Sequence, residues 1–151
     1  GRVNMSPKGL DSLRIIDDHK IVWINLTGSG NETAAHLQES PRMTLMFCAF
    51  SGTSRTLRVY GDAKTTQPED AGWGDLIQMF PDLPGARQIF ELDINLVTTS
   101  CGSSYPFFEV KEDRAAVEFT PFWTDKGEEG CRDFWQRRNK LSIDGRPTGI
   151  K

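Results

Sequence analysis

The chain has little of what most hydrolytic and metal-dependent sites require. Its 151 residues include only two histidines, His19 and His36, and three cysteines, Cys48, Cys101 and Cys131. No CxxC pair and no His–Cys cluster occurs, so the spacing argues against zinc. Neither histidine stands beside a GxSxG-type nucleophile, which argues against a Ser-His-Asp hydrolase. Both read as ordinary, partly exposed side chains rather than haem ligands. No run approaches the roughly 18 apolar residues of a membrane helix, so no membrane partner is expected. Net charge is −3, with 18 Lys and Arg against 21 Asp and Glu. That balance lacks the basic excess of a nucleic-acid-binding protein. The densest basic run, "RDFWQRRNK" (132–140), reads as one helix face. The opening "GRVNMSPKGL" has no apolar core and does not read as a secretory leader. An odd thiol count then fits reduced cysteines in a cytoplasmic protein.

What is present is β-rich. "KIVWINL" (20–26) and "MTLMFCAF" (43–50) are apolar on both faces and read as buried strands. "RTLRVYGDA" (55–63) alternates. In "QIFELDINLVTT" (88–99), Phe90, Leu92, Ile94 and Leu96 share one face, while Glu91, Asp93 and Asn95 form a wet one. "RVNMS" (2–6) and "SLRIID" (12–17) are shorter strand candidates. Asn31 is placed to cap a helix over 32–39, ended by Pro41. Pro68 and two acids predict a helix within 68–80. Thr120-Pro121 opens a helix that stops at Gly127, and 128–140 forms another, acidic first and basic last. Short turns join most strands, which favours an antiparallel barrel with peripheral helices over a doubly wound sheet. Residues 1–151 form a single domain.

"NLTGSGNETAAHL" (25–37) poses the functional question, because strand, glycine loop and helix is a common phosphate-binding arrangement. It fails the dinucleotide fingerprint, since Thr33 occupies the place of the third glycine. It fails the ATP-type loop, since no Gly-Lys-Ser/Thr is present. Backbone N–H groups and the hydroxyls of Thr27, Ser29 and Thr33 could still meet an anion. The loop carries no cation of its own, and Glu32 opposes an anion unless it turns away. Lys8 of "SPKG" can supply the charge if strand 2–6 lies beside strand 20–26.

"SPKG", "LTGSGNETAAHL", "LMFCAF", "LRVYG", "SCG" and "SIDG", in this order over about residues 2–148, resemble the pyridoxamine 5′-phosphate oxidase-like family. These are the FMN-binding split barrels, and the likeness is to a subgroup distinct from the true oxidases. The resemblance implies a mainly β, α+β fold: a six-stranded antiparallel split barrel with C-terminal helices at about 120–140. Its first strand is expected to precede residue 2, beyond a chain that does not begin with Met. It further implies a homodimer with FMN at the interface, and an oxidoreductase acting on a small molecule. A deazaflavin-dependent reductase, or a flavin-binding sensor or stress protein without turnover, are the alternatives on the same fold.

Cofactor contacts carried over residue by residue are Ser6, Pro7 and Lys8 on the first segment, and Leu26, Thr27, Ser29, Asn31 and Thr33 on the loop. Arg55 and Thr56 lie on a later strand, and Ser100 and Cys101 match a pair given by the second chain. Two departures stand out. The true oxidases grip the phosphate with an Arg-Lys pair where this chain has Glu32 and Thr33, which shifts the charge to Lys8 and Arg55. Their terminal Trp and Arg-Leu segment has no counterpart in "NKLSIDGRPTGIK", so pyridoxamine 5′-phosphate oxidation itself is not expected.

Overall fold

The computed structural model describes residues 2–151. Five antiparallel strands form one sheet: β1 (Leu13–Asp17), β2 (Lys20–Leu26), β3 (Arg42–Cys48), β4 (Arg55–Thr66) and β5 (Ala86–Cys101), in the order β1-β2-β5-β4-β3. Three α-helices accompany them: α1 (Glu32–Leu37), α2 (Trp73–Ile77) and α3 (Thr120–Arg138), the last entered through a π-helical turn at Ala115–Phe119.

β2 is apolar on both faces because both are covered. One face joins Trp23 to Phe90, Leu92, Ala34 and Met43, under α1. The other joins Val22, Ile24 and Ile89 to Phe80 and the side chains of α2. Trp23 stacks on Phe90, with ring centroids 4.8 Å apart. β4 and β5 run on well past β2, and a bulge interrupts them where Tyr60 pairs with Leu96 but Gly61 pairs with Ile94. Asn95 is the extra residue. A Cβ at Gly61 would stand 2.0 Å from the Asp93 carbonyl oxygen, so only glycine fits this crossing.

The sheet has five strands rather than the expected six. Residues 2–6 run without strand pairing. The reason is topological: β1 occupies one edge of β2 and β5 the other, so β2 has no edge for a further strand beside it. Side chains hold this arm instead, through an Arg2–Asp144 ion pair and a bond from Asn4 Nδ2 to Thr33 Oγ1 of 3.1 Å. The bulge also corrects the reading of β5. It breaks the alternation, so Leu96 leaves the face shared by Phe90 and Leu92 and is exposed. Glu91, expected on the wet face, is buried between Lys64 at 2.9 Å and Lys20 at 3.2 Å.

α2 starts at Trp73, later than Pro68 suggests. The Asp70 carboxylate accepts a bond from Gln67 N (2.8 Å), and this closes a turn in place of a helical start. α3 agrees with two helices meeting at Gly127, whose φ of 62° and ψ of −177° break it. No helix among the described residues is long and apolar enough to cross a membrane.

Candidate functional site

The arm before β1, the end of β2, the glycine loop and the C-terminal helical segment enclose a cavity of about 730 Å³. Trp23, Leu10, Phe119 and Phe122 give it apolar and aromatic walls. Lys8, Ser29 and Arg87 lie on its polar side. Eight of the twelve expected residues line it: Ser6, Pro7, Lys8, Leu26, Thr27, Ser29, Asn31 and Thr33.

The loop is held from below by neighbouring elements. Thr27 N donates to Gly85 O at 2.8 Å, and its hydroxyl also donates to that oxygen at 2.7 Å. The same hydroxyl accepts from Trp135 Nε1 of α3 at 2.7 Å. Thr27 therefore fastens the loop to the β5 start and to α3, and its oxygen is already engaged. Asn31 makes no capping bond to α1. Its Oδ1 instead accepts from Asn25 Nδ2 at 3.2 Å, and Asn25 also reaches Gln88 Oε1 at 3.3 Å. Asn139 Nδ2 donates to Gly28 O at 2.9 Å.

Glu32 lines the cavity, but the C-terminal tail engages its carboxylate. Both of its carboxylate oxygens accept from Ile143 N, at 3.0 and 3.1 Å, so it anchors the "SIDG" turn of the C-terminal tail. An Arg146–Glu39 ion pair ties the same tail to the segment after α1.

Two cations face the cavity. Lys8 is an exposed residue, but its ammonium reaches inward and sits 4.8 Å from the centre of the Trp23 ring. Burial, and then the positive charge of Arg87, push its pKa down to about 8. Arg87, the second residue of β5, is only 2% exposed. Its guanidinium donates to Gly30 O at 3.0 Å and Gly28 O at 3.4 Å, while Nε has no hydrogen-bond partner. Burial pulls its pKa down to about 10.

Sequence reasoning missed Arg87, which lies one residue before the strand it read over 88–99. A signal was available. Arg87 shares its strand parity with Ile89, an apolar residue on the supposedly wet face, and Ile89 is buried under α2. A covered face at 89 implies a covered face two residues earlier.

The other four expected residues are elsewhere. Arg55 pairs with Cys101 and Thr56 with Ser100, at the far end of the β4–β5 ladder. About 45–50 Å of strand separates them from the β5 start, at the usual rise per residue. Arg55 therefore cannot supply this cavity with charge within one chain. Thr56 is buried and shares a 2.6 Å hydrogen bond with the Tyr105 hydroxyl. Arg58 Nη1 donates to Ser100 Oγ at 3.0 Å. Cys101 is exposed, and its hydrogen bonds with the Ser103 side chain and from the Ser103 backbone N–H hold its thiol below its ordinary pKa. Cys48 is half-buried and Cys131 buried.

Comparison with known proteins places this geometry in context. The sequence model described as pyridoxamine 5′-phosphate oxidase matches residues 1–101. A curated relative from Aspergillus flavus, the pyridoxamine 5′-phosphate oxidase family protein ustO, is 31% identical over 160 aligned positions. The alignment covers 96% of this chain and 64% of the relative, so the chain spans less than two thirds of that protein's length. Two crystal structures of HupZ from Group A Streptococcus, one of them a histidine-to-alanine variant, resemble the chain with TM-scores of 0.45 and 0.44. Their identities are 15% and 14%. The matches cover 65% and 59% of this chain, and 74% and 73% of HupZ.

Proposed function

Because this chain belongs to the pyridoxamine 5′-phosphate oxidase family, we propose that it is an FMN-binding oxidoreductase. On this reading the sheet is a split barrel of the FMN type and the protein works as a homodimer. The observation that carries the reading is the cavity beside the glycine loop. Its volume of about 730 Å³ falls in the range of small-molecule sites. It combines an aromatic wall with a cationic end, which suits a ligand with a flat ring system and an anionic tail. Lys8 and the glycine loop would hold the tail, and Trp23, Phe119 and Phe122 would exclude water from the ring. Thr27 acts as a positioning residue, since its hydroxyl fixes the loop. Bound FMN would supply hydride transfer between a reduced donor and a small acceptor.

The homodimer gives the distant cluster a purpose. Phe47 and Val97 are exposed on one face of the sheet, one and three rungs from the Thr56–Ser100 pair. Burying that apolar surface against a second copy would remove it from water and bring the polar cluster to the second copy's cavity.

The visible spectrum of the purified protein tests the cofactor. Flavin bands, or their appearance on reconstitution with FMN, are expected. A colourless protein that fails to take up FMN sinks the proposal. Size-exclusion chromatography should give twice the chain mass, reduced to a single chain by Val97→Asp. A monomeric wild type at tens of micromolar overturns the dimer.

A further inference from the structure

Arg87 is a buried cation without a counter-ion. Among the described residues no carboxylate forms an ion pair with it. Two loop carbonyls take two of its five N–H donors, and Nε points to no acceptor. Lys8 brings a second positive charge close enough for the two to repel. The acids that line the same cavity are occupied. Glu32 accepts from Ile143 N, and Glu118 faces Arg114 at 3.9 Å. An uncompensated charge in such a place is costly. Fastening the loop does not explain it, because hydrogen bonds to two carbonyls leave the guanidinium's net charge uncompensated. A guanidinium with free donors beside an ammonium is the donor set that recognises a phosphate group.

We propose that Arg87, acting with Lys8, is the seat of the ligand's phosphate monoester. It takes over the charge that a basic pair would carry at the positions of Glu32 and Thr33. The inference rests on the flavin reading for the identity of the ligand, and on Arg87 and Lys8 alone for its anionic group.

Three proteins test it: wild type, Arg87→Gln and Lys8→Gln. Two measurements are made on each. The first is the thermal midpoint in inorganic phosphate against chloride at matched ionic strength. The second is the affinity for FMN against riboflavin, which lacks the phosphate, by flavin fluorescence quenching. Phosphate should stabilise the wild type beyond chloride, with the effect lost in Arg87→Gln and reduced in Lys8→Gln. The preference for FMN over riboflavin should fall at least about tenfold in each variant, the worth of one charge-assisted hydrogen bond. An unchanged preference in both variants overturns the inference, as does a wild type that phosphate stabilises no more than chloride. If neither flavin binds while phosphate stabilises the wild type but not Arg87→Gln, the flavin reading falls and the anion seat stands. If both flavins bind equally well, the flavin reading stands and the anion seat falls. Should Arg87→Gln not fold, the Lys8→Gln preference and the wild-type phosphate shift decide, and the absence of either overturns the inference.

Discussion

Raising the pH from about 7 to about 9.5 should weaken FMN binding and, at the same time, relieve a destabilising charge in the free protein. Lys8 is the cause of both. Its pKa is pushed down to about 8, by burial first and by Arg87 second. About nine in ten such groups carry the proton at pH 7, and roughly one in thirty at pH 9.5. The phosphate of FMN is already a dianion across this window, because its second pKa is about 6. Arg87, at about 10, keeps most of its charge. If the anion is held by the protonated amine, affinity should fall about thirtyfold, within the ten- to hundredfold worth of one charge-assisted hydrogen bond. Stability runs the other way. A lysine whose pKa is lowered on folding is protonated less readily in the folded chain than in the unfolded one. Its unfavourable contribution is present below about 8, and is relieved as the pH rises from there towards the unfolded 10.5. Flavin titrations across the pH range, with calorimetry in two buffers of different ionisation enthalpy, read the first effect. Denaturant unfolding of the free protein reads the second. Lys8→Gln is the reference in both, because it cancels other titrating groups. A wild-type affinity profile parallel to that of Lys8→Gln, or binding near pH 9 without proton uptake, would refute the reasoning.

Two further predictions concern the frame that carries the site. Gly61→Ala places a Cβ 2.0 Å from the Asp93 carbonyl oxygen, against backbone that cannot rotate away. The cost should reach the upper end of overpacking, about 3 kcal/mol, and lower the thermal midpoint by about 6–12 °C. Gly30→Ala, with nothing within 4 Å of the added carbon, is the control, and equal losses in the two would contradict the close crossing. Glu91 is desolvated by burial, which raises its pKa, but its bonds to Lys64 and Lys20 outweigh this and hold it below 4.5. Its contribution is therefore complete above about 4.5 and disappears as the pH falls through its lower folded value. The stability difference between wild type and Glu91→Gln should shrink on acidification from pH 7 to 3. A constant difference in urea titrations would sink this assignment.

The readings that held were those in which a local pattern and the global environment ask for the same residues. Ile21–Ile24 is apolar without interruption because both faces of the sheet are covered there. Gly127 breaks α3 because the backbone needs a positive φ at that point. The readings that failed depend on which edges are already taken. Nothing in "RVNMS" says that β1 and β5 will occupy both sides of β2, so a segment with strand propensity becomes a side-chain-tethered arm. Nothing in "PED" says that the Asp70 carboxylate will close a turn instead of opening a helix.

The cationic end of the site belongs to the same class of long-range facts. Lys8 was legible because it sits in a motif beside the glycine loop, and a missing charge in that loop prompts the search for one. Arg87 was not, because 57 residues separate it from Gly30, and only the β2–β5 register, with Leu26 opposite Ala86 and Asn25 opposite Gln88, brings the two together. On the proposed reading, that register also accounts for a loop without a lysine. The guanidinium enters from the neighbouring strand beneath Gly28 and Gly30, where a side chain from the loop itself would have to fold back to reach. A basic residue at the position of Glu32 would meet Ile143 N, a donor that now satisfies both carboxylate oxygens. The acid at that position and the buried arginine are therefore linked. Glu32 closes the C-terminal tail over the loop, and if the loop binds the anion as proposed, the positive charge arrives from β5.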